Sequence, residues 1–377
     1  MKRAGNLWEE VSSFANLLGA AEAAAAGKKN RPDVAWFLME TEGELLRLRR
    51  ELRDGSYTPG PYRTFAIVDP KPRLISAAPF RDRVVHHALT RVLEPVFEPR
   101  FSRHSFACRK GMGSHAALDV ARAGAARFPY VLKCDVRKYF ATIDHAILLE
   151  QLERVIQCRP TLDLAARIVG ASGPQEEYVR YFEGDDLFTP YARRRGLPLG
   201  NQTSQFFANV YLNGMDQMAD RELRPRLYAR YVDDFVLFDD SKARLGEMRA
   251  RLTDTLAGLR LEMHAGKSRV YRCADGVTFL GWQLFPGRTR LIRGNVTRFG
   301  RRLRWMGRAH ERGELTFGQV TERVRAWIGH AAFGDTWVLR ERMLGGTAFQ
   351  LGTPYKRARG LVLEQYNEPA RGLSQPQ

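Results

Sequence analysis

The chain has 377 residues, 44% of them hydrophobic, and sets 60 Lys and Arg against 42 Asp and Glu, a formal net charge of +18 with a pI of about 10.1. That length suits roughly two or three packed lobes, and no uninterrupted apolar run reaches spanning length, since "AAEAAAA" at 20–26 is short and carries Glu22. Four scattered cysteines without a C-x-x-C pair argue against a zinc site or a disulfide framework, and so positive a field attracts polyanions, nucleic acid above all.

The N-terminus "MKRAGNLWEEVSSF" lacks an apolar signal core, which predicts no export. Residues 1–55 read as helices ended by Gly55. Proline-punctuated turns and short strands follow to Phe80, then a helix expected to break near Pro95. "YVLKCDVRKYF" (130–140) is apolar enough for a buried strand closing in a turn, and 145–182 reads as mostly helical. After "GLPLGNQTSQ" comes the helix "FFANVYLNGMDQMADREL", then "RLYARYVDDFVLF", whose aromatic and β-branched residues fit a tight hairpin with its turn at the aspartates. A helix from Lys242 and short strands at "SRVYRC" and "GVTFLGWQLF" complete a compact α+β layer. From 296 to about 345 the pattern is helical and basic; Arg288 to Arg312 holds nine arginines and one acid, Glu311, with Phe299 and Trp305 interleaved for base or sugar stacking.

Carboxylates inside strand-forming segments cost stability unless compensated. Asp135 closes one such strand, and Asp233 and Asp234 sit at the hairpin. A strand-end aspartate alone reads more readily as a turn cap, but two such sites brought together would suit Mg²⁺, which prefers oxygen ligands and is held by few carboxylates plus substrate phosphates. Two such ions about 4 Å apart activate an attacking hydroxyl and stabilise the leaving group. Asp239 and Asp240 read as a solvated strand end, and His264 as structural.

In this order, "KPRLISAAPFRDRVVHHAL", "FEPRFSRHSFACRKGMGSHAAL", "CDVRKYFATIDH", "GLPLGNQTSQ", "YVDD", "HAGKS" and "FLGW" resemble the motifs of reverse transcriptases over roughly residues 30–285. Most relatives carry a glutamine before the glycine and a proline after the serine of the fourth motif. Here Leu199, Gly200, Ser204 and Gln205 stand instead, a pattern that resembles the enzymes of diversity-generating retroelements, which copy a template RNA with frequent errors at adenines.

The resemblance implies a right-hand α+β polymerase: N-terminal helices and fingers over 1–125, an antiparallel palm over 126–285, a helical basic thumb over 286–350 and a flexible tail over 351–377. It assigns catalysis to Asp135, Asp233, Asp234 and Lys267, and metal binding (two Mg²⁺, with Mn²⁺ as a substitute) to Asp135, Val136, Asp233 and Asp234. Nucleotide binding falls to Lys71, Arg73, Phe140, Leu199, Gly200 and Gln205, with Phe140 as a steric gate against a 2′-hydroxyl. Without the motif, Phe140 reads as core and Lys267 as a solvated lysine. Nucleic-acid contacts fall to Gly281, Trp282, Arg298, Arg301, Arg302 and Arg304, and to Arg81 and Arg83 unless these pair with Asp82. The implied partners are template RNA, the cDNA–RNA heteroduplex, dNTPs and a small basic oligomeric accessory variability protein, with no membrane and a bacterial or phage-encoded cytoplasmic setting. No nuclease or integrase domain is expected. Alternatives are a group II intron-type, retron-type or defence-associated polymerase, or a silent RNA-binding scaffold, against which the three intact aspartates argue.

Overall fold

Helix-forming runs broken by caps dominate the N-terminus of the computed structural model, which describes residues 3–68, 72–173 and 178–345. Helices α1 (Trp8–Val11), α2 (Phe14–Ala25), α3 (Pro32–Met39) and α4 (Thr41–Asp54) follow one another. The Ser13 hydroxyl caps α2 by accepting from the Asn16 N–H at 3.1 Å. Helix α4 buries Leu45, Leu48 and Leu52 and stops at Gly55, whose φ of 76° is open to glycine at little cost. An exposed antiparallel hairpin, β1 (Arg63–Val68) and β2 (Pro72–Ala77), comes next. Helix α5 (Phe80–Phe97) runs through Pro95 instead of breaking there. Pro95 lies in the last turn, where one missing backbone bond costs little, and Leu93 and Phe97 keep the buried stripe going.

Beyond α6 (Ser114–Arg127), strand β3 (Tyr130–Asp135) enters the core and leads into α7 (Tyr139–Thr142), α8 (His145–Glu153) and α9 (Arg159–Gly170). The helical expectation for 145–182 fails past α9: residues 178–182 form no regular element. After α10 (Thr189–Ala192), helix α11 (Gln202–Met218) ends in a wider turn over Ala219–Leu223. Strands β4 (Leu227–Tyr231) and β5 (Asp234–Asp239), helix α12 (Lys242–Gly258) and strand β6 (Arg269–Arg272) then complete an antiparallel sheet of order β4-β5-β3-β6. Phe235, Val236, Leu237 and Phe238 of β5 are all fully buried, so both faces of the sheet are covered. At Gly124 of α6 a Cβ would fall 2.5 Å from the Phe238 ring, so only glycine lets that helix approach so closely.

The chain divides into two compact units at Cys273/Ala274, not at 285. The second unit opens with a three-stranded sheet, β7 (Val277–Phe279), β8 (Trp282–Phe285) and β9 (Arg288–Leu291), the last where sequence suggested the start of the helical region. Helices α13 (Arg293–Glu311), α14 (Phe317–Ala331) and α15 (Trp337–Gly345) follow. Thr316 and Gln319 form a reciprocal capping box at α14. Phe299 stacks on Trp327 with centroids 3.8 Å apart and is buried, so it is core and not a stacking surface for bases, whereas Trp305 is exposed. The tail beyond 345, Lys71 and 174–177 lie outside the described residues. Among the described residues no helix is long and apolar enough to cross a membrane.

Candidate active site

Strand pairing brings the carboxylates together. In the β3–β5 register Asp135 lies directly opposite Asp234, and Tyr231 opposite Asp234 closes the β4–β5 hairpin on a two-residue turn, Val232–Asp233. Val232 adopts φ +59°, a conformation costly for a β-branched residue and kept only where surrounding contacts enforce it. Those contacts are visible. The Val136 N–H donates to the Asp233 carbonyl at 3.1 Å, tying the turn to the end of β3. From beneath, the fully buried Arg230 donates to the Val232 carbonyl at 2.9 Å, to Asp216 through Nε and Nη2 at 2.7 and 2.6 Å, and to Ser105 at 2.8 Å. The Tyr228 hydroxyl donates to the same Asp216 at 2.6 Å. Sequence reasoning passed over this lattice. Its signal was an arginine inside the otherwise strand-like "LYARYV" and an aspartate on an apolar helix, neither of which stays buried without a partner.

On the other flank, the Asp135 backbone is clamped: its carbonyl accepts from the His264 N–H at 2.8 Å and its N–H donates to Ser268 Oγ at 3.3 Å. The turn from His264 to Ser268 aims Lys267 at the carboxylate, and Nζ donates to both Asp135 oxygens at 2.9 and 3.0 Å. His264 thus acts through its backbone. Val136 has an apolar side chain, so only its backbone carbonyl has an electron pair to offer a cation.

Burial pushes the Asp234 carboxyl up to about 7, with the nearby Asp233 and Asp135 charges adding to the rise and Lys133, whose Nζ is 3.7 Å away, opposing it. Asp233 is raised for the same reason, burial first and then Asp135, while Lys267 and Arg73 pull it back. The charge of Arg73 on β2 is therefore felt at the Val232–Asp233 turn. Between the ordinary value of 3.8 and about 7, the folded protein keeps a proton on Asp234 that the unfolded chain has lost. Stability is fully present below that window and falls as pH rises through it. In metal-free urea titrations between about pH 4 and 8, the wild type is expected to lose roughly 2–4 kcal/mol that Asp234→Asn retains; parallel pH profiles for the two proteins would rule this out.

Of the residues that the sequence reading assigns to nucleotide binding, Leu199 and Gly200 lie against β2. The Ser76 N–H donates to the Leu199 carbonyl at 3.2 Å, and the buried Asn201 amide donates to the Ser76 carbonyl and accepts from the Ala78 N–H. Gly200 has φ +108°, and a Cβ there would meet Ile75 at 3.0 Å, so loop and strand are in close contact. Gln205 is exposed and accepts from the Cys108 thiol. Phe140 is half-buried, packed edge-on against Tyr139. Arg81 pairs with Glu51 and Glu44 and lies over the Tyr57 ring, and Arg83 bonds the Ala78 carbonyl and pairs with Asp33. Asp82 is met instead by the Tyr57 hydroxyl and the Gly60 N–H, and both arginines are engaged within the protein. Asp239 corrects the solvated reading: it is fully buried, paired with Arg244 at 2.8 Å and capping Ser241, because α12 starts directly over the strand end. Asp240 is exposed and pairs with Arg226.

In the second unit Arg298, Arg301, Arg302 and Arg304 are all exposed on α13, opposite the buried Phe299, Leu303 and Met306. Trp282 corrects its assignment: it is fully buried between His330, Phe333 and Gly334, so its ring is core and out of reach of a nucleic acid. Gly281, at φ +84°, offers its carbonyl to Ile292 and Asn295.

Among the described residues no three His, Cys, Asp or Glu side chains already close around one metal position. The donor set still fits a hard divalent cation: three convergent carboxylates supply only oxygen, and the buried Asp234 Oδ1 has no hydrogen-bond partner. Lys267 pairs with one member of that set, Asp135.

A four-stranded antiparallel sheet carrying paired carboxylates on a central strand and a neighbouring hairpin defines a nucleotidyl-transferring polymerase of the right-hand type. The sequence profile of "Reverse transcriptase (RNA-dependent DNA polymerase)" matches residues 68–284, and the chain belongs to this family of RNA-directed DNA polymerases. Protein YkfC of Escherichia coli (strain K12) is 28% identical over 287 residues, 66% of this chain and 72% of its own. The group II intron-encoded protein LtrA of Lactococcus lactis subsp. cremoris is 25% identical over 201 residues, 51% of this chain and 32% of its own. The putative COX1/OXI3 intron 1 protein of Saccharomyces cerevisiae is 27% identical over 174 residues, 46% of this chain and 20% of its own. The chain thus spans a third or less of these two intron proteins. A solved apo telomerase from Candida tropicalis shares 12% identity at a TM-score of 0.45, covering 61% of this chain and 48% of that one.

Proposed function

We propose that this reverse transcriptase copies a template RNA into cDNA with frequent errors opposite adenine, as the polymerase of a diversity-generating retroelement. One observation carries the reading: Leu199, which stands where a glutamine is usual, is hydrogen-bonded to the strand that holds Arg73, and Gly200 lies close against it. A leucine offers the nascent base pair shape and dispersion but no hydrogen bond, and losing such a contact weakens discrimination by about 1–3 kcal/mol.

In this mechanism Asp135, Asp233 and Asp234, with the Val136 carbonyl, would hold Mg²⁺ or Mn²⁺, which supplies activation of the primer 3′-hydroxyl and charge neutralisation on the triphosphate. Arg73, with Lys71 beyond the described residues, grips that triphosphate. Phe140 bars a 2′-hydroxyl. Lys267, released from Asp135, hands a proton to the departing pyrophosphate, a role typically worth about 10²–10⁴-fold. The exposed arginines of α13 bind duplex backbone without sequence choice. The reading brings with it a basic oligomeric accessory protein and a bacterial or phage-encoded cytoplasmic setting. A group II intron-type polymerase is the second reading, favoured by the similarity to LtrA.

Deep sequencing of cDNA made by the purified protein from a primed RNA template, with Asp233→Ala as control, separates them. The retroelement reading expects errors concentrated opposite template adenine, reduced about 10–100-fold in Leu199→Gln. Accurate cDNA from the wild type would assign the chain to the intron-type reading.

A further inference from the structure

At the end of β4 remote from the catalytic turn, a pocket of about 790 Å³ opens between the segment at 99–104 and the end of α11 with the turn that follows it. Leu227 and Tyr228 form part of its wall, and about 13 Å of strand, at ~3.3 Å per residue, separates Leu227 from Tyr231. The pocket is therefore outside the site described above.

Its lining is strongly one-signed. Arg100, Arg103, Arg221, Arg224 and Arg226 face it with a single carboxylate, Asp220. That carboxylate is already satisfied by the frame, since one oxygen accepts from Ser102 Oγ at 2.6 Å and the other meets His104 Nδ1 at 2.7 Å. Arg226 pairs with Asp240 across the surface. Among the described residues Arg103, Arg221 and Arg224 form no salt bridge, and all three are exposed. Arg224 also occupies φ +46°, where glycine or asparagine would cost less, at the close of the Ala219–Leu223 turn. Arg103 feels the already bonded Asp220, and Arg224 Nε donates to the Arg221 carbonyl at 2.8 Å, so positive charge stays in excess around the concavity and a ligand with several separated anionic oxygens would relieve it. Arginine's planar fork matches phosphate oxygens two at a time.

We propose that this pocket binds the phosphodiester backbone of the RNA outside the catalytic cleft, anchoring unpaired template while its primed end is copied. RNA is favoured over an acidic protein because it is the polyanion a member of this family must hold, and because the cations lining the pocket are all arginine, whose fork suits phosphate. The inference rests on the chain handling RNA and not on the retroelement assignment.

The test compares the full-length protein with the triple variant Arg103→Gln, Arg221→Gln, Arg224→Gln, and with the charge-keeping R103K, R221K, R224K. Binding to a long unpaired RNA is read by fluorescence anisotropy across a salt series without metal or dNTPs, so a protein unable to polymerise still reports on the pocket. Neutralising three phosphate contacts should lower the slope of log affinity against log salt by about 2, and affinity by about a hundredfold at ~0.1 M salt. The lysine variant should keep the slope. Extension of a primer–template too short to leave the cleft should be unchanged in both variants, with unchanged melting temperatures. Wild-type slope in the glutamine variant, or equal loss on long and short substrates, overturns the proposal. So does intact RNA binding with loss of binding to a poly-glutamate probe, which assigns the pocket to an acidic protein.

Discussion

Asp233→Asn is expected to reduce cDNA synthesis by about a thousandfold or more while leaving the fold intact. The substitution removes a charge but not a shape. Several kcal/mol of charge stabilisation at the reacting phosphate vanish with it, and each ~1.4 kcal/mol is tenfold in rate. Asp135→Asn should match that loss for a second reason: Lys267 would lose the carboxylate it bridges at 2.9 and 3.0 Å. Single-turnover primer extension checks both, with binding to primed template as the control. Retention of a tenth of wild-type rate by either variant would remove that aspartate from the reaction centre.

Arg230→Met should lower the unfolding free energy by about 3–5 kcal/mol, because it leaves Asp216 buried and unpaired. For a unit of this size that is roughly 10 °C in melting temperature. The informative protein is the double variant Arg230→Met, Asp216→Leu. Replacing a buried pair by apolar groups often restores stability, yet it does not return the donor that holds the Val232 carbonyl at 2.9 Å. The double variant should therefore recover much of that loss, short by about 1–3 kcal/mol for the buried Tyr228 hydroxyl left without its acceptor, and still extend primers about a hundredfold more slowly, the cost of a displaced catalytic group. Recovery of both stability and rate would show that the turn holds itself.

The elements that carry the site were legible because their signals are local. Apolar content marked β3, aromatic and β-branched residues marked the hairpin, and leucine and methionine at helical spacing marked α12. What could not be read was partnership. Asp239 looks solvated until α12 is seen to set Arg244 against it, and Trp282 and Phe299 look like ligand-facing aromatics until His330, Phe333 and Trp327 are found packed on them. Arg230 and Asp216 are separated by a turn and half a strand, and no spacing rule joins them. The Pro95 expectation failed because local backbone preference yielded to the burial of Phe97.

The amide of Asn201 has one further meaning. By donating to the Ser76 carbonyl and accepting from the Ala78 N–H it imitates a peptide group, so the loop behaves as an extra rung on the edge of β2. A hinge between the hairpin and the loop would have to break both bonds. The arm that carries Arg73 and the Leu199–Gly200 loop are consequently coupled through those bonds, so a displacement of one is passed to the other.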